Sequence, residues 1–104
     1  MAVSSRRNTV QQRGLKKLPK VGDIVEILDR GEIESMLDRE GKFYYQTGHY
    51  WHVLHVCEDM LNHCGRHFKV ISVDKNTDLV SLSIPAMGNQ FWWHYSFLDE
   101  WYPF

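Results

Sequence analysis

Cysteine is scarce in this sequence, with only Cys57 and Cys64 among 104 residues. Two are too few for the disulfide scaffold that holds many small secreted domains, and in a reducing compartment both stand as thiols or metal ligands. Long apolar runs are missing as well: none approaches the roughly 18 residues that would cross a bilayer, and the opening MAVSSRRNTVQQRG has no apolar stretch of the secretory type. The expectation is a soluble, cytoplasmic protein with no membrane contact. Also absent are a nucleophile elbow, a Gly-rich phosphate loop, an HExxH pair, paired catalytic carboxylates, EF-hand spacing and any internal repeat. Together with a length that allows one domain, these absences argue against an enzyme.

Acids are lacking before position 21, and this exposes a division that the net charge of −1 conceals. Arg6, Arg7, Arg13, Lys16, Lys17 and Lys20 give the first twenty residues a charge of +6, while the remainder, with thirteen acids and six bases, stands at −7. Ser4, Ser5, Asn8, Gln11, Gln12 and Gly14 complete a composition too polar to offset the entropy of ordering. The sequence therefore predicts a basic tail over 1–20, disordered to about residue 18, and a folded domain over 21–104. An acidic body repels phosphate, so any nucleic-acid association is expected from the tail alone.

What is present is β-forming and aromatic. Ile24-Val25-Glu26-Ile27-Leu28 reads as a strand, stopped by Asp29-Arg30-Gly31. Residues 32–41 place Ile33, Met36 and Leu37 on one face of a short helical turn, with a long loop as the alternative, and Gly41 is a stop. Lys42 to Gln46 reads as a second strand ending at Thr47-Gly48. Between His49 and His67, Val53, Val56, Cys57, Met60 and Cys64 keep helical spacing, yet Tyr50 to Val56 is dense in β-prone residues; an extended piece to about Val56, a helical turn over Glu58–Asn62 and a stop at Gly65 reconcile the two. Phe68–Val73 and Asp78–Ile84 alternate around Asp74–Thr77, which predicts a hairpin. Gln90–Tyr95 is a further strand, and Ser96–Glu100 reads as a short capped turn before Trp101. Short strands with regular turns and little helix imply a small antiparallel barrel.

The pattern Met60-x4-Gly65-Arg66-x-Phe68-Lys69-Val70-x2-Val73, the strand to Ile84, then Phe91-Trp92-Trp93 and Phe97-Leu98-Asp99-Glu100 resembles small SH3-like β-barrel proteins. Such sequences are frequent among phage-encoded and bacterial small proteins, and similar spacings occur in repeat modules of large ubiquitin ligases. With Val21-Gly22-Asp23 and the strand that follows, the resemblance covers about residues 21–101. It implies five strands, a long first loop over about 29–59, a single-turn helix before the last strand, and a binding or adaptor role. The aromatic strand within the first loop and the histidine-rich turn are departures from the general pattern.

Two groups of side chains are candidates for function. Eight of the last fourteen residues are aromatic, and along a strand Phe91, Trp93 and Tyr95 share one face while Trp92 and His94 take the other, so one set is expected outside the core. Trp92 and Trp93, with Tyr44, Tyr45, Tyr50 and Trp51 of the first loop and the acids Glu32 and Glu34, form the expected protein-binding surface, since exposed Trp and Tyr dominate interface hot spots. The second group is the His/Cys cluster, in which Cys57, His63, Cys64 and His67 have the donor types zinc requires, although no CxxC or HxxxH knuckle is present. A Cys-His nucleophile pair would draw on the same residues. The leading expectation is a cofactor-free interaction module, of inhibitor or adaptor type if phage-encoded, that acts in the host cytoplasm and competes through an acidic, aromatic face for a basic site. A zinc-binding domain and a nucleic-acid-associated protein are the alternatives.

Overall fold

A computed structural model describes residues 13–85 and 91–101. Among these residues seven strands fall in two sheets. Strands β1 (Ile24–Ile27), β4 (His67–Asp74), β5 (Leu79–Leu82), β6 (Trp92–His94) and β7 (Leu98–Glu100) make an antiparallel sheet in the order β6-β5-β4-β1-β7. Strands β2 (Lys42–Thr47) and β3 (Tyr50–His55) form a separate two-stranded ribbon. Among the described residues β6 and β7 do not pair with each other, so the sheet is open at both edges and the expected closed barrel is not formed. The mostly-β class holds.

Alternation explains the strands. In β1 the buried Val25 and Ile27 alternate with the half-buried Ile24 and Glu26, and β1 lies between β4 (Val25 opposite Phe68) and β7 (Ile27 opposite Leu98). The hairpin β4–β5 turns where expected: the Asp74 carboxylate accepts the Asn76 N–H at 2.9 Å, and Asp78 takes φ of 59°, a left-handed conformation that Asp tolerates better than most residues. A register shift between Val70 and Ser72 bends β4. The core joins Val25, Ile27, Leu28, Ile33, Val56, Met60, Leu61, Val70, Val80, Leu82, Trp93, Phe97 and Leu98.

Two short helices sit in the long connection between β1 and β4. The first, α1 (Arg30–Glu34), begins two residues before the acidic stretch because Asp29 and Glu32 form a capping box, and it buries Ile33. The second, α2 (Glu58–Leu61), buries Met60 and Leu61 and is followed by Gly65 at φ +82°, as the competing strand and helix signals implied. At the C-terminal end the expectation for Ser96–Glu100 needs correction. Tyr95–Phe97 is a 3₁₀ turn, and Leu98–Glu100 is a strand, because Leu98 is needed opposite Ile27 on the buried side of β1.

The N-terminal boundary also moves. Residues 1–12 lie outside the described part, but 13–20, expected within the disordered tail, pack on the body. The Leu15 N–H donates to the Leu98 carbonyl at 2.8 Å, and Leu15 and Leu18 lie against the core. Gly14 has φ of +113°, and a Cβ there would stand 2.7 Å from the Ser96 carbonyl oxygen, so this crossing requires glycine. Arg13 fastens the segment. Its guanidinium reaches Glu32 at 3.0 Å, Asp99 at 3.2 Å and Glu26 at 3.4 Å, with Asp29 at 4.0 Å. Burial pulls its pKa down, but the Asp99 hydrogen bond and the charges of Glu32, Asp99 and Glu26 outweigh that and hold it above its ordinary value. Arg13→Ala leaves these carboxylates facing one another, and the expected loss is about 2 kcal/mol in urea unfolding, partly restored by high salt. A variant as stable as the parent at low salt contradicts this role.

Candidate functional site

The β2–β3 ribbon joins at Gly48, which takes φ of +60°, and its register sets two faces. Phe43 lies opposite Leu54 and Tyr45 opposite His52 on one face; Tyr44 lies opposite Val53 and Gln46 opposite Trp51 on the other. The first face is packed down by rings. Phe43 meets Phe97 edge-on at 4.9 Å and His94 at 5.0 Å; Tyr45 lies 4.5 Å from His94 and stacks on His52 at 5.0 Å. His94 in turn stacks on Tyr95 at 4.3 Å. The Tyr45 hydroxyl donates to the Thr77 carbonyl at 2.8 Å, and its pKa is raised by burial first, then by the charges of Asp78 and Asp74. His52 is hydrogen-bonded to Thr47 across the ribbon.

The second face is left to solvent. Tyr44 is 54% exposed, Trp51 69% and Val53 56%, and Tyr50 at the ribbon tip is 75% exposed. Trp92 is 39% exposed on the same side of β6 as His94, the side the ribbon covers. Of the expected binding surface, Tyr44, Tyr50, Trp51 and Trp92 are thus exposed. Trp93 and Tyr45 are not, since both are buried. Trp93 belongs to the main core and Tyr45 to the ring stack beneath the ribbon. The expectation that one face of β6 lies outside the core is met only at Trp92, because the ribbon folds back over the other half and buries His94 too. The acids are also less available than their number suggests. Glu32 is held by Arg13 and Glu34 by Arg30, whose guanidinium also clasps Glu58 at 2.6 and 2.8 Å. Residues 102–104, which supply further aromatics, lie outside the described part.

The His/Cys cluster is spread over separate partners. Cys57 stands at the N-cap of α2, the His63 ring meets Phe68 edge-on at 6.0 Å, and the His67 ring stacks on Trp101 at 3.9 Å. Among the described residues no three His, Cys, Asp or Glu side chains converge on a point where an ion could sit. Both cysteines are free thiols and half-buried. Burial pushes the Cys64 thiol up to about 11; Arg30 pulls it down, and Asp29 and Glu34 add to the rise. A thiol in that state carries almost no thiolate at neutral pH, the reverse of an activated nucleophile.

Arg13 and His94 carry roles that sequence reasoning missed. Arg13 was lost in a tail of like charges, whereas the contrast of one arginine beside Gly14 and the apolar Leu15 and Leu18 was the available signal. The strand pattern places His94 only on the Trp92 face, although its setting among aromatics itself argues for burial. Its Nδ1 accepts the Ser96 N–H at 3.1 Å and lies 2.8 Å from the Ser96 hydroxyl, so the neutral ring carries its proton on Nε2. Burial lowers its pKa from 6.5 to about 4.

Between those two values the folded state binds fewer protons at His94 than the unfolded chain does. Its contribution to stability is therefore full above about pH 6.5 and is lost as pH falls toward 4. Urea unfolding at pH 7 and pH 5 is expected to show a drop in the parent and a much smaller one in His94→Gln; equal drops contradict the assignment. Cys64 is expected to react with iodoacetamide at pH 8 about a hundredfold more slowly than an exposed cysteine, measured in Cys57→Ser so that one thiol is read; ordinary reactivity would show it to be ionised. Comparison with protein-family models, with curated proteins and with solved structures returns no match for this chain.

Proposed function

We propose that the protein is a non-enzymatic interaction module that binds a protein partner through the outward face of the β2–β3 ribbon, and that its architecture is an SH3-like barrel left partly open. The observation that carries the functional reading is the alignment of Tyr44, Trp51 and Val53 on one solvent-facing side of a ribbon whose opposite side packs through Phe43 and Tyr45. Large aromatic side chains on an exposed strand face present rigid, apolar contact area, and such side chains concentrate binding energy at interfaces. Tyr50 extends this surface at the tip and Trp92 borders the ribbon.

The fold reading is supported by the strand order β6-β5-β4-β1-β7, the long insertion between β1 and β4, and the 3₁₀ turn directly before the last strand. The insertion and the turn agree with what the resemblance to SH3-like proteins implies. The acidic part of the expected surface is reduced in this reading, because Glu32 and Glu34 are engaged within the chain. The partner is met mainly by aromatic contact, and binding is stoichiometric with no chemical step.

Affinity capture from the native host, with the bound protein then purified for titration, tests the reading. Trp51→Ala and Tyr44→Ala are each expected to weaken the partner at least tenfold, since hot-spot truncations cost about 2 kcal/mol or more, with thermal unfolding unchanged because both side chains are exposed. Undiminished affinity in both variants, or a partner equally retained by the double variant, removes the ribbon face from the interface.

A further inference from the structure

The ribbon has edges as well as faces, and its hydrogen-bond pattern is fixed at one end by the Val56 N–H, which donates at 2.9 Å to the carbonyl of Gly41, the residue directly opposite it. Bonded and unbonded pairs alternate in an antiparallel ladder, so the pairs that exchange bonds are Phe43–Leu54, Tyr45–His52 and Thr47–Tyr50, the last closing the turn at Gly48 and His49. The backbone groups of the intervening residues point out of the ribbon. They belong to Lys42, Tyr44 and Gln46 on one edge and to Trp51, Val53 and His55 on the other.

The two edges differ. On β2 the preceding loop covers Lys42: the Asp38 N–H donates to the Lys42 carbonyl at 2.9 Å, and the Asp38 carboxylate accepts the Lys42 N–H at 2.9 Å. On β3, among the described residues, no backbone group of another segment bonds the outward groups of Trp51, Val53 or His55. The outer strands of the five-stranded sheet, β6 and β7, are only three residues long, and Leu15 already donates to Leu98 of β7. Strand β3 runs for six residues, YWHVLH, without a bulge, a proline or, with histidines neutral, a charge. It thus lacks the devices that keep edge strands from pairing. Tyr50, Trp51, Val53 and His55 are all exposed, so this edge is open to an incoming strand.

We propose that β3 pairs edge to edge with β3 of a second copy of this chain, antiparallel about a two-fold axis between the two Val53 residues. The alternation sets the register: Val53 lies opposite the partner's Val53, and Trp51 opposite the partner's His55. Each such pair exchanges two N–H···O bonds, and every outward group of the edge is used. A second copy fits better than an unrelated strand because the outward positions are symmetric about Val53 and the segment is uncharged, so identical strands match donor to acceptor without opposing like charges. An axis normal to the ribbon keeps both outward faces on one side and both bodies on the other. Across the junction Tyr44 and Val53 continue into the partner's Val53 and the partner's Tyr44 as one apolar row. The assembly closes at two copies, because pairing consumes both β3 edges. It goes beyond the binding role of the ribbon face, which it doubles without covering, and does not depend on that role.

In sedimentation equilibrium at about 100 µM, full-length protein is expected at twice the chain mass of 12.3 kDa, dissociating on dilution. Val53→Lys and Val53→Glu each set like charges opposite one another at the axis, and each is expected to raise the dissociation constant about tenfold, with circular dichroism unchanged because the side chain is exposed. Mixed in equal amounts, the two variants are expected to recover the dimer as a heterodimer. Val53→Pro removes an outward N–H that the ribbon itself does not use, and is expected to be monomeric; if it fails to fold, the Lys and Glu variants decide. A parent that stays monomeric up to about 1 mM overturns the proposal. So does a dimer that ignores Val53→Lys and Val53→Glu, or a mixture of those variants that dimerises no better than either alone.

Discussion

The placement of the β2–β3 ribbon depends on stacked rings rather than on hydrogen-bonded sheet. Among the described residues no backbone hydrogen bond joins the ribbon to the five-stranded sheet. Phe43 and Tyr45 reach down onto His94 and Phe97, and the Tyr45 hydroxyl adds a polar tie to the Thr77 carbonyl. Aromatic contacts of this kind add about 0.5–1.5 kcal/mol each beyond the area they bury. They are also directional, so the ribbon is held in one orientation. His94 has to remain an uncharged ring within that stack, which is why its burial and its lowered pKa belong to the fold rather than to a reaction.

Period-2 geometry makes the buried and exposed sides of the ribbon inseparable. Once Phe43, Tyr45, His52 and Leu54 are committed to packing, Tyr44, Gln46, Trp51 and Val53 have to face outward. A structural cause thus forces the outward direction, but not the choice of Tyr, Trp and Val for those positions. Polar residues would keep the same fold with less apolar exposure. The outward face of the ribbon therefore invites function through apolar surface that the fold does not require.

Charge is organised by the same economy of placement. The arginines Arg13 and Arg30 gather the carboxylates that surround the two short helices, Arg13 drawing Glu26, Asp29, Glu32 and Asp99 and Arg30 drawing Glu34 and Glu58. A planar guanidinium with five donors can serve several carboxylates at once, which an ammonium does less well. The consequence is that acidity read from composition is largely internal near the helices. Of the lysines, Lys42 pairs with Glu40 at 3.0 Å, and Lys16, Lys17, Lys20 and Lys69 stand exposed at the surface.

Much of the element order was legible in the residues. Alternation located β1, β4 and β5, the turn residues Asp74–Thr77 located the hairpin between β4 and β5, Thr47-Gly48 marked the end of β2, and the β-prone run before Glu58 prevailed over helical spacing as its composition suggested. Local pattern reaches that far because backbone geometry fixes which side chains share a face. It does not reach pairings between distant segments. That Leu98 would be drawn into a strand opposite Ile27, that the ribbon would cover His94 and leave Trp51 bare, that Trp93 would be wholly internal, and that Arg13 would cross to four carboxylates all depend on residues far apart in the chain. The sequence by itself determined a mostly-β chain with a charge boundary and an excess of aromatic side chains. Only the tertiary structure decided which of those side chains and charges are spent on each other, because burial and ion pairing are properties of the assembled faces and not of any one segment.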